Sequence, residues 1–214
     1  GKLDVDGGRS FFFLKGVNDY HRALYIADGI NATATIKGKI DIVDTVVGAN
    51  YDHGGAISAN SGTVNLSGGI KITSADINDD NGAEAIYVGD GAKVNIDGCT
   101  FKKYEGNMAA VAYVANDGEF NFKNGKVDGF YVANGGYAIY GEDCEVTDKN
   151  GKKDNSRGSK ITLENISFKA TKNQKSENVI YIGEKGTLKA SKLKYESKFK
   201  QNIVSKKNSN IIEK

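Results

Sequence analysis

The chain has 214 residues, 39% of them hydrophobic, with 27 glycines and neither proline nor tryptophan; its mean hydropathy of −0.46 implies a thin or elongated core, and average usage would have supplied roughly ten prolines. The net charge of +2 conceals an asymmetry, because residues 1–150 hold 13 Lys/Arg against 21 Asp/Glu and residues 151–214 hold 16 against 6. The two ends therefore carry opposite fields, while scattered lysines without interleaved aromatics argue against nucleic acid and no apolar run is long enough for a membrane-spanning helix.

In chain order, Gly1-Lys2 has no signal-peptide character and reads as a boundary within a longer protein. LDV and FFFLKG in residues 1–21 read as part of a preceding repeat. From residue 23 one phrase recurs: ALYIADGINATATI (23–36), AISANSGTVNL (56–66), EAIYVGDGAKVNI (84–96), VAYVANDGEFNF (111–122), AIYGEDCEV (138–146) and VIYIGEKGTLKA (179–190). Aligned on Tyr25, Ser58, Tyr87, Tyr113, Tyr140 and Tyr181, the phrases are spaced by 33, 29, 26, 27 and 41 residues. A motif returning at such intervals marks a solenoid, and the apolar period of two within each unit marks strands.

Each unit predicts three short strands. The first is the phrase itself. A turn follows at Asp28-Gly29, Ser61-Gly62, Asp90-Gly91, Asp117-Gly118 or Lys185-Gly186, where glycine accepts positive φ without steric cost. The second strand has inward pairs Ala34/Ile36, Val64/Leu66, Val94/Ile96, Phe120/Phe122, Ile161/Leu163 and Leu188/Ala190. After a corner the third has Ile40/Ile42, Ile70/Ile72, Cys99/Phe101, Gly125/Val127, Ile166/Phe168 and Leu193/Tyr195. A polar loop leads on. The expected fold is all-β: a right-handed parallel β-helix of about six to seven coils, in one domain over 1–214, stacked at about 4.8 Å per coil. Residues 147–160, TDKNGKKDNSRGSK, read as a polar loop inserted in the fifth coil. Residues 203–214 read as the start of a further coil.

Alternation assigns the tyrosines. Leu24, Ile57, Ile86, Ala112, Ile139 and Ile180 share a face with Ile26, Ala59, Val88, Val114, Gly141 and Ile182. Exposing those rows would forfeit about 1.5–3 kcal/mol per large aliphatic, so they point inward and the tyrosines outward. The small residues Ala23, Ala56, Ala85, Val111, Ala138 and Val179 are expected beside the tyrosines, on the outside. Two readings of Tyr25, Tyr87, Tyr113, Tyr140 and Tyr181 stand: stacked aromatics that stabilise neighbouring strands, or an aromatic strip that binds a partner.

Catalytic signals are sparse. His21 and His53 fall in successive loops and read as solvated. DINDDNG (76–82) places Asp76, Asn78 and Asp80 at calcium-loop positions 1, 3 and 5, but Asn81 stands where that loop needs glycine and Tyr87 where it needs glutamate; an Asx-rich turn is the alternative. Only Arg9, Arg22 and Arg157 supply arginine, and no outward column of aspartates repeats, so polysaccharide cleavage by paired carboxylates has no visible machinery. Cys99 is expected inward at a corner, and Cys144 at a turn position where other units have glycine. Two coils apart, they are too distant for a disulfide. Asn31, Asn65 and Asn165 form sequons, two of them in tight strand or corner positions.

The repeated A-I-Y-x-x-D-G followed by K-V-N-I, with GGAIS at 54–58, resembles the passenger region of type V autotransporters, and the Lys- and Asn-rich, proline-free style is similar to that of large fusobacterial autotransporter adhesins. GGAI also echoes polymorphic outer-membrane proteins, although it occurs once and their FxxN partner is absent at Phe101 (FKKY) and Phe168 (FKAT). What the resemblance implies is a rod on the bacterial cell surface, at the extracellular face of the outer membrane or secreted, carried there by a C-terminal barrel outside this sequence. It implies a non-enzymatic, monomeric adhesin segment without cofactor or metal, continuous with neighbouring coils of a parent chain. The partner would be a host-cell or bacterial surface protein or glycan. The alternatives are a ligand-free stalk and a polysaccharide-active enzyme.

Overall fold

The computed structural model describes residues 2–6, 12–15, 23–44, 55–74, 84–102, 104–106, 108–132, 136–144, 146–147, 153–154, 157–171, 178–196, 199 and 201–214. All regular structure among them is strand. One 14-stranded and one 7-stranded sheet contain nearly all of it, and within both every pairing is parallel.

The smaller sheet is built from the recurring phrase. Its strands Leu24–Ile26, Ile57–Ala59, Ile86–Val88, Ala109–Val114, Tyr137–Gly141, Asn178–Ile182 and Gln201–Ser205 lie side by side in chain order. The register runs Tyr25 to Ser58, Ser58 to Tyr87, Tyr87 to Tyr113, Tyr113 to Tyr140 and Tyr140 to Tyr181, and then to Val204. Each aligned phrase thus lies against the next.

The larger sheet joins the second and third segments of each unit. Lys2–Asp6, Thr33–Lys37, Thr63–Ser67 and Lys93–Asp97 pair in that order, then with Glu119–Val132, Lys160–Ala170, Thr187–Ser191 and Asn210–Glu213. The third segments Phe12–Lys15, Ile40–Asp44, Lys71–Ser74 and Thr100–Lys102 run to the same two long strands. LDV and FFFLKG do take the place of a preceding repeat, since Leu3 pairs with Ala34 and Phe12 with Ile40.

Two details differ from the sequence expectation. The second and third segments fuse in Glu119–Val132 and Lys160–Ala170. There the chain bends through left-handed Asn124 and Asn165, at φ 51° and 55°, while the ladder continues on either side. Asparagine tolerates that conformation better than other residues with a Cβ. The turn glycines also divide. Gly29, Gly62 and Gly91 take positive φ, but in later repeats Asp117 and Lys185 do so in their place, at 58° and 59°. Gly118 and Gly186 are held for space: an added Cβ would lie 2.9 Å from the Val88 carbonyl oxygen at one and 2.7 Å from Ile182 Cγ2 at the other.

The core is a stack of columns. Val64, Val94, Phe120, Ile161 and Leu188 are buried above one another, as are Leu66, Ile96, Phe122, Leu163 and Ala190. The row of small residues is a correction. Ala56, Ala85, Val111, Ala138 and Val179 are not outside beside the tyrosines but buried in the main core, with Ala23 packed against it. In the first three repeats a bend at Ala23, Ala56 and Ala85 precedes the strand, and in the fourth the register shifts between Ala109 and Ala112, so strict alternation is broken there: the N–H groups of both Ala56 and Ile57 donate to the Ala85 carbonyl, at 3.0 Å each.

At the start of the 147–160 segment, Val146–Thr147 and Lys153–Asp154 form an antiparallel pair. Residues 148–152 and 155–156 lie outside the described residues.

Candidate binding face

The tyrosine column starts from the register of the smaller sheet. Parallel pairing puts one tyrosine per repeat at the same outward position, about 4.8 Å apart, a distance that suits aromatic contact. Ring centroids are 5.9 Å apart for Tyr87–Tyr113, 5.1 Å for Tyr113–Tyr140 and 4.8 Å for Tyr140–Tyr181, the last pair stacked at 8°. Tyr137, which sequence reasoning did not select, lies against the rings of Tyr140 and Tyr181 at 6.2 and 5.0 Å.

The column is less open than an outward position suggests. Tyr113 and Tyr181 are only 9% and 7% exposed. Tyr87, Tyr137 and Tyr140 are intermediate. Tyr113 packs with Ala109 and Ala115 in a small cluster of its own, against Tyr87 and Tyr140. Tyr25 is 54% exposed and separated from the others by Ser58, itself buried at 2%. The five tyrosines expected outside therefore divide into a contiguous stack of four and Tyr25, which Ser58 separates from that stack.

Two carboxylates fix the stack. The Tyr113 hydroxyl donates to Glu142 Oε1 at 2.9 Å, and the Asn116 N–H donates to Glu142 Oε2 at 3.1 Å. The Tyr181 hydroxyl donates to Asp143 Oδ2 at 2.8 Å, and the Glu184 N–H donates to Asp143 Oδ1 at 3.0 Å. Adjacent residues of the fifth repeat thus clasp the fourth repeat on one side and the sixth on the other. The signal was present in the sequence, because AIYGEDCEV carries GED where sister phrases have a turn with glycine.

Burial, with the neighbouring carboxylates second, pushes these phenols up. The Tyr140 phenol is raised to about 12 by burial, then by Asp143 and Glu142. Tyr113 is raised by burial and then Glu142, Tyr181 by burial and then its hydrogen bond to Asp143. Tyr87 is raised by burial and then by Glu142 and Glu84. The face is therefore a row of neutral phenols rimmed by negative charge. Such a surface can stack on an apolar or sugar-ring face, but two of its hydroxyls are already engaged.

Cys99 and Cys144 are buried and form no disulfide. Burial, with Asp97 second, raises the Cys99 thiol to about 12. His21, His53 and the Asp76–Asn78–Asp80 turn lie outside the described residues. Among the described residues no group of three or more His, Cys, Asp or Glu is placed to hold a metal ion. No protein-family model, curated protein or solved structure matches the chain.

Proposed function

We propose that the chain is a segment of a right-handed parallel β-helix in the shaft of a bacterial surface adhesin of the autotransporter passenger kind. The observation that carries this reading is the unbroken parallel register from Lys2–Asp6 to Asn210–Glu213, with one phrase returning at every step. Its work is display: stacked, hydrogen-bonded repeats hold side chains at fixed spacing outside the cell, without catalysis or cofactor. The partner is a protein or glycan on a host-cell or bacterial surface, and contact falls to Tyr25 and to the partly open Tyr87, Tyr137 and Tyr140.

The clasped hydroxyls of Tyr113 and Tyr181 favour a second reading, in which the column braces a stalk that has no ligand of its own. Flow-cytometric binding of the labelled chain to epithelial cells, immune cells and bacteria separates the two. The comparison is a Tyr25→Ser, Tyr87→Ser, Tyr140→Ser variant whose fold is checked by circular dichroism. Saturable binding lost in the variant supports the face as the contact. Binding retained by the variant moves the contact elsewhere on the chain. No saturable binding by either protein contradicts adhesion and leaves the stalk.

A further inference from the structure

The turn after each first strand repeats as faithfully as the tyrosines do. Asp28, Ser61, Asp90, Asn116, Asp143 and Glu184 each stand three residues after the aligned position of their repeat. The ladder carries them into a second column, because pairing continues past the strands. The Asn60, Gly89, Ala115 and Glu142 N–H groups donate to the carbonyls of Ile26, Ala59, Val88 and Val114 at 2.9, 2.7, 2.8 and 2.9 Å. Four of the six members are acids, so a column rich in carboxylates runs alongside the aromatic one.

These carboxylates lack the cationic partners that acids have elsewhere on the molecule. Lys71–Asp41, Lys93–Glu119, Lys123–Glu164, Lys160–Asp117 and Lys169–Asp128 pair across adjacent repeats at 3.9, 2.8, 3.2, 2.6 and 3.6 Å. Among the described residues no lysine or arginine forms an ion pair with Asp28, Asp90, Glu142 or Asp143. Glu142 and Asp143 accept from tyrosine hydroxyls and backbone N–H groups, all neutral donors. Asp28 and Asp90 are exposed. Glu142, Glu84, Asp28 and Asp90, from three different repeats, all act on the Tyr87 hydroxyl.

An aromatic face rimmed in this way selects its occupant. A neutral sugar laid on it would strip water from the carboxylates without pairing them, and an acidic glycan would be repelled. A lysine or arginine side chain suits both columns, with its charged head on a carboxylate and its apolar stem along a ring. Tyr25, 54% exposed, offers open ring surface in the same repeat as Asp28.

We propose that the tyrosine face receives an extended lysine- or arginine-rich protein segment laid along the stack, with cationic heads on Asp28, Asp90, Glu142 and Asp143 and side-chain stems on Tyr25, Tyr87 and Tyr140. From Asp28 to Asp143 the column climbs four ladder steps, about 19 Å, which about six or seven extended residues span. This site rests on the reading of the tyrosine column as a contact face and narrows its partner from protein or glycan to a basic protein segment.

The affinity of the whole chain is measured at physiological salt for a lysine-rich peptide, the same peptide with glutamate at every lysine, and neutral dextran. Asp28→Asn, Asp90→Asn is compared with Asp97→Asn, Glu213→Gln, which removes the same charge at exposed positions on the larger sheet. The expected result is binding of the lysine-rich peptide alone, with about a tenfold loss in the first variant against less than about threefold in the second. Tyr25→Ser should weaken that binding and Tyr25→Phe should keep it. Equal losses in the two charge variants, no binding of the lysine-rich peptide, or dextran bound as tightly would each overturn the site. Cell binding separates it from adhesion. Saturable binding of cells that Asp28→Asn, Asp90→Asn leaves unchanged overturns the basic partner and leaves the adhesin. Peptide binding with the expected dependence but no binding of cells contradicts adhesion and leaves the basic-segment site standing. Circular dichroism of every variant checks that a loss of binding is not a loss of fold.

Discussion

Gly125 occupies an inward position, in register between Cys99 and Ile166, where a side chain would be expected to fill the core. The Phe122 ring takes that space instead: a Cβ on Gly125 would collide with Phe122 Cε2 and Cζ. Phe122 is fully buried and meets Phe101 edge-on at 5.4 Å. Gly125→Ala is therefore expected to cost about 1–3 kcal/mol by overpacking, and a coupled Phe122→Leu should recover part of it. Urea unfolding reads both; independent, additive losses would contradict the contact. A second prediction at this scale concerns pH. The folded chain raises the Tyr140 phenol to about 12, so folding favours the neutral form. The stability this contributes is complete below the ordinary tyrosine value of about 10 and is lost as pH rises from there through the folded value. Absorbance at 295 nm and circular dichroism, followed together, should show the column's phenolates appearing with the loss of fold above about pH 11. Ionisation of the whole set near pH 10 with the fold intact would refute that burial.

Between elements, side-chain ladders repeat what the backbone does. Asn95 Nδ2 donates to Asn65 Oδ1 at 2.8 Å, and Asn121 Nδ2 donates to Asn95 Oδ1 at 2.9 Å. At the corner Asn124 donates to Asp97 and Asn165 donates to Asn124, at 2.9 and 3.0 Å. Asn95→Ala breaks two such bonds and should cost about 1–2 kcal/mol in thermal or urea unfolding. Asp143→Ala should cost more, about 1.5–3 kcal/mol, because it leaves the Tyr181 hydroxyl unpaired at a site 7% exposed. A smaller loss from Asp143→Ala than from Asn95→Ala would contradict the clasp. The inward columns and the pairing of all six phrases were legible in the sequence, because period-two alternation and a fixed phrase determine which residues stack. Ala56 and Ala85 were misplaced because alternation was carried across a bend that resets it. Glu142 and Asp143 lie inside a recurring phrase but were missed because their partners come from neighbouring repeats, and Tyr137 was missed because it precedes the aligned phrase.

For the whole molecule, residues 1–150 hold 13 Lys/Arg against 21 Asp/Glu and residues 151–214 hold 16 against 6, so the two parts carry opposite charge on one continuous ladder. The display proposed for the shaft needs the repeats stacked in register. Pulsed dipolar spectroscopy tests this most directly, with Cys99 and Cys144 replaced by alanine and one spin label at Ser191. A second label is placed in turn at Ser67, Lys37 and Asp6, positions four, five and six steps away along the paired strands. The account predicts distances of roughly 19, 24 and 29 Å, rising by about 4.8 Å per step. Distances that fail to rise in that order, or broad distributions without a maximum near them, would contradict the stacked fold.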